Sequence, residues 1–228
     1  MTDKSMQFLY GDRELFMSVG DVLSSPVDVI VNSTDPDLSL EDSHGRRLIS
    51  TAGADMKAEL TQLIRQYGRI EPGMVVYTTA GLLPFHAVIH SIDPHHQDGD
   101  EQLILEQSIS RSLMLCETND WRSIAFPAIG VAAGSISIEC CAQSFFRAIT
   151  SFWDARHECV VEKINLCLDR EQLSLFFTAF RNDALDPVDE NDSPVENTAV
   201  AEEENIGVID LQEEDLESAD EEVNSWFK

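Results

Sequence analysis

The sequence is poor in basic residues. Only 15 of its 228 residues are Lys or Arg, against 42 Asp and Glu, which gives a formal net charge of -27. A surface this acidic repels a phosphate backbone at long range. We therefore expect neither nucleic acid nor an anionic membrane surface as a partner.

Long apolar runs and paired cysteines are also missing. No run approaches the roughly 18 residues that a membrane-spanning helix needs, and Met1–Tyr10 lacks the pattern of a secretory signal peptide. The adjacent pair His95 and His96 is weak evidence for a metal site, and we predict no metal and no cofactor. The five cysteines form no CxxC pair and lie in apolar stretches, which predicts buried, reduced thiols in a cytoplasmic protein; they are Cys116, Cys140, Cys141, Cys159 and Cys167.

What the chain does have is an alternation of strand-like and helix-like segments. This alternation predicts a mostly parallel sheet with helices on both faces. A Gly11-Asp12 turn between two short strands predicts an opening hairpin. The predicted strands are Met6–Tyr10, Glu14–Val19, Val27–Asn32, Met74–Thr79, Ala87–Ser91, Ser123–Pro127 and Val160–Leu168, and the predicted helices are 44–68 (weakened at Gly53), Glu101–Thr118, Ser137–Trp153 and Arg170–Arg181.

The composition changes after Arg181. Residues 1–181 are predicted to form one α/β module, and residues 182–228 an acidic, largely disordered tail, because 17 of the 42 acidic residues and only one basic residue lie in 183–228. Within the tail, 208–228 regains spaced apolar residues. Two interpretations stay open: a solvated acidic tail, or a tail whose segment 208–228 docks on a protein partner or folds back on the domain.

Three stretches, in order, resemble the macrodomain family. They are Val19–Val22 followed by Val27–Thr34, then Ala80–His90, and then Ser123–Ser135. The resemblance covers roughly 80% of the chain and implies a three-layer α-β-α fold with a mixed, mostly parallel sheet and a pocket for ADP-ribose. It also implies that Asp21 stands where the family uses an aspartate to accept a hydrogen bond from the adenine amino group.

The third stretch has physical support of its own. It follows a strand and precedes a helix, at the strand end where open parallel sheets bind ligands. Free N–H groups at a helix N-terminus suit a diphosphate, and small residues let the backbone approach it. An ordinary tight connection is the alternative interpretation. The predicted ligand-binding residues are Asp21, Val22, Asn32, Ser33, Asp35, Gly130, Val131, Ala132, Ala133, Gly134, Ser135 and Ile136.

The chain departs from the family's hydrolases between Asn32 and Gly45. The hydrolases carry an Asn-Ala-Ala-Asn tetrad that leads into a glycine triplet, whereas here the tetrad is Asn-Ser-Thr-Asp and 40–45 holds a single glycine. Asp35 thus replaces the second asparagine, which implies loss of hydrolysis, and the loop looks more like that of the macro-histone variants. The carboxylates of Asp35, Glu41 and Asp42 are nevertheless candidates for a general base.

Three functions follow from these observations. The first is a binding module for ADP-ribose, a related ADP-ribosyl nucleotide or an ADP-ribosylated protein, without hydrolase activity. The second is a divergent ADP-ribosyl or O-acetyl-ADP-ribose hydrolase. The third is a degenerate domain that acts as an interaction scaffold through its acidic tail.

Overall fold

The computed structural model describes residues 5–94, 100–156 and 158–184, with side chains described up to Arg181. The pair His95 and His96, for which no metal site is predicted, lies outside the described residues. So does nearly all of the predicted tail, including 208–228, and the prediction of disorder there is untested.

The described residues form a seven-stranded sheet in the order β1-β2-β7-β6-β3-β5-β4. The five inner strands run parallel, and β1 and β4 pair antiparallel at the two edges. The mixed, mostly parallel sheet predicted from the sequence is therefore confirmed. The strands are β1 Ser5–Tyr10, β2 Arg13–Val19, β3 Val29–Thr34, β4 Val75–Thr79, β5 Ala87–Ile92, β6 Ser123–Pro127 and β7 Lys163–Leu168.

Helices cover both faces of this sheet and give the three predicted layers. Two helices pack on one face over a core that includes Ile30, Leu48 and Val88, and three pack on the other over a core that includes Val31, Phe126 and Phe145. Alternate residues of the inner strands face opposite cores, as side chains of a strand must. The helices are α1 Ser43–Ala52, α2 Ala54–Tyr67, α3 Glu101–Asn119, α4 Ile138–Asp154 and α5 Arg170–Ala184, with a short 3-10 helix at Val22–Ser24.

Two chain features that glycine predicts are confirmed: the hairpin turn at Gly11 and the interruption of the helical segment at Gly53. Gly11 has φ 61 in the β1–β2 hairpin, a conformation that glycine adopts at little cost. Gly53 has φ 93 and separates α1 from α2, so the predicted weak point is a true break.

Two strand starts differ from the prediction by more than one residue. The third strand begins at Val29 rather than Val27, because the Asp28 amide donates to Ser123 Oγ at 2.8 Å instead of joining the ladder. The last strand begins at Lys163 rather than Val160. There the amides of Val160 and Val161 donate to one carboxylate oxygen of Glu117, at 2.8 and 3.3 Å.

In the described part of the chain, no helix has the length and apolar character needed to cross a bilayer.

Candidate ligand-binding site

The centre of the sheet opens at its carboxyl-terminal edge. Strands β3 and β6 pair only through Val29 with Ile124 and Ile30 with Ala125. Beyond these two pairs, β3 continues along β5 to Thr34 and β6 continues along β7 to Pro127. The two strands thus stop pairing toward their ends, at the place where open α/β sheets bind ligands, and we call the space beside these ends the groove.

The connection from β6 to α4 forms one wall of this groove; we call residues 128–137 the phosphate loop. Its turns are closed by backbone bonds from Val131 to Ala128, Gly134 to Val131 and Ser135 to Gly130, at 3.0 to 3.3 Å. Gly130 and Gly134 have φ 75 and 70, so both need the left-handed conformation.

The tip of the phosphate loop leaves backbone donors free. Ala132 and Ala133 are exposed, and their amides donate to no group among the described residues. Ser137 then caps α4 by accepting from the Cys140 amide at 3.2 Å. Free amides directly before a helix N-terminus can bind an anion. The predicted loop residues therefore lie together at the groove, with Ile136 half-buried beside Gly130.

The connection from β3 to α1 forms the opposite wall; we call residues 35–42 the acidic loop. Asp35 organises this loop, because its Oδ1 accepts from the amides of Asp37 at 2.8 Å and Ser39 at 3.3 Å, and its Oδ2 accepts from the Ser39 hydroxyl. This is an Asx turn. The sequence predicts a ligand contact or a general base at Asp35 and does not indicate this turn.

The other two candidate bases of the acidic loop differ from each other. Asp42 is the N-cap of α1 and accepts from the Gly45 amide at 2.8 Å. Glu41 is exposed and accepts no bond from any described residue. Helix capping thus occupies one oxygen of Asp42 and leaves the Glu41 carboxylate in solvent.

Two leucines fill the acidic loop from inside. Leu38 and Leu40 have φ 50 and 48, and both are buried in the core beneath α1 and α2. A left-handed conformation is costly for a residue with a Cβ. Burial of the two side chains offsets that cost, and the loop is held against the domain.

Gly45 is the point at which α1 meets the acidic loop. A Cβ at Gly45 would lie 2.7 Å from the Leu40 Cα and 2.8 Å from the Leu40 Cβ. The single glycine of this stretch therefore serves close helix–loop packing within the protein.

The side chains of Asn32 and Ser33, adjacent in β3, have different neighbours and different burial. The Asn32 side chain is buried, and its Nδ2 lies 3.3 Å from His90 Nδ1, while Thr78 Oγ1 lies 3.0 Å from His90 Nε2. Burial lowers the pKa of His90 to about 3, so the ring is neutral at physiological pH. The Asn32 side chain is thus part of the interior, whereas Ser33 is half-buried and bonds to the residue that follows β5.

Ser33 leads to an acidic residue that the sequence analysis missed. Its hydroxyl donates to Asp93 Oδ1 at 2.5 Å, at the end of β5. Burial raises the pKa of Asp93 to about 7; the hydrogen bond from Ser33 opposes this, and the charges of Asp35 and Asp42 add to it. The signal that could have identified Asp93 is its position shortly after the predicted strand Ala87–Ser91, at the same sheet edge as the connection that follows β6.

Asp21 lies at the far end of the groove, directly after β2. Its Oδ1 accepts from the Leu23 amide at 2.9 Å and caps the 3-10 helix, and the adjoining Val22 is buried. Its Oδ2 contacts Arg47 Nη1 of α1 at 2.5 Å. The proposed adenine acceptor is therefore present at the edge, and it already holds two partners.

A cavity of about 560 Å³ adjoins the phosphate loop on the side of α3 and α4. It extends beyond the predicted groove, because it shares only two of the predicted ligand residues. Its lining is Asp100, Glu101, Gln102, Leu103, Glu106, Ser135, Ile136, Ser137, Cys140 and Arg147.

The cysteines are less uniform than predicted. All five are free, but only Cys116, Cys141 and Cys167 are buried, and Cys140 and Cys159 are half-buried because they lie at helix and loop surfaces. Burial raises the pKa of Cys159 and of Cys167 to about 11, which keeps both as thiols. Within the described segments, no three potential metal ligands lie close enough to hold an ion.

Comparison with known proteins identifies the family. The family model for the Macro domain matches residues 31–145. The O-acetyl-ADP-ribose deacetylase of Klebsiella pneumoniae (strain 342) is 34% identical over 160 residues, which cover 69% of this chain and 91% of that protein. The chain belongs to the macrodomain family.

A human protein and a solved structure are also similar to this macrodomain. Human protein mono-ADP-ribosyltransferase PARP14 is 32% identical over 138 residues, which cover 59% of this chain and 8% of that protein. The Oceanobacillus iheyensis macrodomain with ADP superposes with a TM-score of 0.75 at 21% identity, over 81% of this chain and 99% of that structure. The structural match supports the macrodomain fold.

Proposed function

We propose that this macrodomain binds ADP-ribose, free or attached to a protein, in the groove between the ends of β3 and β6. The observation that carries the proposal is the pair of free amides at Ala132 and Ala133 beside the parted strands. Backbone amides bind a diphosphate without needing a positively charged surface. In this arrangement the diphosphate lies on the phosphate loop and the adenine lies toward Asp21.

The acidic loop favours binding over hydrolysis. The carboxylate of Asp35 is held by its own Asx turn and that of Asp42 by the cap of α1. A general base has to reach the water that it activates, and these two groups are already bonded to backbone amides of the loop and of α1. Our proposal is therefore a reader of ADP-ribosylation without hydrolase activity.

Hydrolysis is a second candidate function, and two observations favour it. Several relatives carry the name O-acetyl-ADP-ribose deacetylase. In addition, Asp93 is an acid with a pKa of about 7 at the same strand edge, a value suited to general acid–base work.

A cytoplasmic location and a protein partner for the acidic tail are further proposals.

Isothermal titration calorimetry of the full chain with ADP-ribose tests the binding proposal. Absence of heat at millimolar ligand would exclude it.

A matched pair of variants then tests the phosphate loop. Ala132 follows the first residue of the turn closed by Gly134 and Val131, a position that favours proline.

Ala132→Pro removes one free amide at that position, whereas Ala132→Ser keeps it. We expect about a tenfold or larger loss of affinity in Ala132→Pro, from the net worth of one hydrogen bond to a charged group, and little change in Ala132→Ser. Equal affinities in the two variants would contradict the assignment of the diphosphate to this amide.

Incubation with O-acetyl-ADP-ribose and with a mono-ADP-ribosylated protein separates reader from hydrolase. We expect no turnover. If turnover is seen, Asp93→Asn and the combined Asp35→Ala, Glu41→Ala, Asp42→Ala variant identify which carboxylate supports it.

A further inference from the structure

Arg47 joins α1 to the segment that follows β2, beside the proposed adenine acceptor Asp21. It lies in α1, and its guanidinium contacts Asp21, which follows β2, at 2.5 Å. The side chains of Arg47 and Asp21 are 56% and 27% exposed, so a ligand can reach the pair. An exposed ion pair contributes only about 0–1 kcal/mol to folding, which makes stability a weak reason for its presence.

The edge that would bind ADP-ribose is short of positive charge. Asp21, Asp35, Asp42 and Asp93 all lie at the ends of inner strands or in the acidic loop. A diphosphate dianion brought there meets carboxylates at close range, and like charges repel strongly where water is partly excluded. A cation placed against one of these carboxylates reduces that repulsion.

The Asp21 carboxylate can keep Arg47 and still accept an adenine amino group. Its Oδ1 binds the Leu23 amide and its Oδ2 binds Arg47. An ionised carboxylate offers about four lone-pair sites. A further donor therefore fits without breaking the ion pair.

We propose that Arg47 is a ligand-positioning residue that cancels the charge of Asp21, so that this end of the groove keeps its hydrogen-bond acceptor and admits the dianion of an ADP-ribosyl nucleotide. The inference rests on the proposed ADP-ribose function. If Arg47 acts in this way, it strengthens the binding of anionic nucleotides and has almost no effect on the affinity for the neutral nucleoside.

Calorimetry on the full chain tests this with Arg47→Ala and a matched control, Arg46→Ala. Arg46 precedes Arg47 in α1, is exposed, and its side chain contacts no described acid. Arg47→Ala should weaken ADP-ribose binding about three- to fivefold, the upper range for one accessible charge interaction, whereas Arg46→Ala should change it less than about twofold. Arg47→Lys, which keeps the charge, should recover part of the loss.

Three further measurements separate charge cancellation from other roles. Adenosine binding, followed by nuclear magnetic resonance titration, should be nearly equal in wild type and Arg47→Ala. The Arg47→Ala loss should shrink from about 0.1 M to about 1 M salt, as the screening length falls from about 10 to about 3 Å. Asp21→Asn added to Arg47→Ala should restore most of the ADP-ribose affinity, because it removes the uncancelled charge and keeps an acceptor.

The outcomes are distinguishable. No ADP-ribose binding by the wild-type chain overturns the proposed function and this inference with it. Wild-type binding that Arg47→Ala leaves unchanged or strengthens overturns the role of Arg47 alone. An equal loss for adenosine, or a double variant no better than Arg47→Ala, overturns charge cancellation and assigns Arg47 a direct contact with the base.

Discussion

The two loops that border the groove satisfy their polar groups in opposite ways. In the acidic loop, the carboxylate of Asp35 accepts from the loop's own amides, that of Asp42 accepts from the first turn of α1, and two leucines anchor the loop in the core. In the phosphate loop, the tip consists of small residues whose amides have no partner among the described residues. Charge is therefore a poor guide to which loop leaves polar groups unbonded: the neutral loop has free backbone amides at its tip, whereas Asp35 and Asp42 of the charged loop already accept hydrogen bonds.

A pair of glycine substitutions gives the largest expected contrast between the loops. In Gly45→Ala the new Cβ would clash with the Leu40 backbone, and we expect the free energy of unfolding to fall by about 2–3 kcal/mol. Gly134→Ala has open space around it but φ 70, so a loss of about 1 kcal/mol is expected. Thermal and urea denaturation measure both. A greater loss in Gly134→Ala would show that the acidic loop is not held as described.

Asp93, between the two loops, should make stability depend on pH. Its folded pKa of about 7 lies above the ordinary value of 3.8, so the folded state binds the proton more tightly. Its stabilising contribution is complete below about pH 4 and is lost as pH rises to 7. Asp93→Asn should therefore gain about 3 kcal/mol relative to wild type between pH 5 and pH 8, because the folded pKa of about 7 lies two units above pH 5 and each unit is worth about 1.4 kcal/mol. A pH-independent difference in urea unfolding would contradict the raised pKa.

The carboxylates within the acidic loop should contribute unequally. Asp35→Ala removes the acceptor for two amides and a hydroxyl, and we expect a loss of about 1–2 kcal/mol in unfolding free energy. Glu41→Ala, a change of the same charge six residues later, should cost less than about 0.5 kcal/mol, because the side chain is exposed. Similar losses in both would mean that the loss reflects net charge and that the Asx turn contributes little.

Local patterns in the sequence predicted most of the fold. Apolar periodicity located every described strand and helix to within about three residues, and Gly11 and Gly53 marked the hairpin and the helix break. The errors at Val27 and Val160 arose because side chains distant in sequence, Ser123 and Glu117, capture the amides there. Such captures depend on tertiary placement, which periodicity does not carry.

The site was predicted less completely than the fold, because its contacts also depend on tertiary placement. The capping role of Asp42 was accessible, since an aspartate before a helical pattern is a common N-cap. The contact of Asp21 with Arg47 joins residues 26 apart, and no spacing rule indicates it. The turn at Asp35 depends on a loop geometry that two leucines with positive φ maintain, and leucine is an unusual residue for that conformation.

The short junction between β3 and β6 gives the middle of the sheet some properties of an edge. Only two residue pairs join the half formed by β1, β2, β7 and β6 to the half formed by β3, β5 and β4. Past that junction, each strand turns one row of backbone N–H and C=O groups toward the groove. These amides should exchange hydrogen with solvent faster than those of the outer ladders, although they are central. Their protection on adding ADP-ribose would report occupancy of the groove without any label on the ligand.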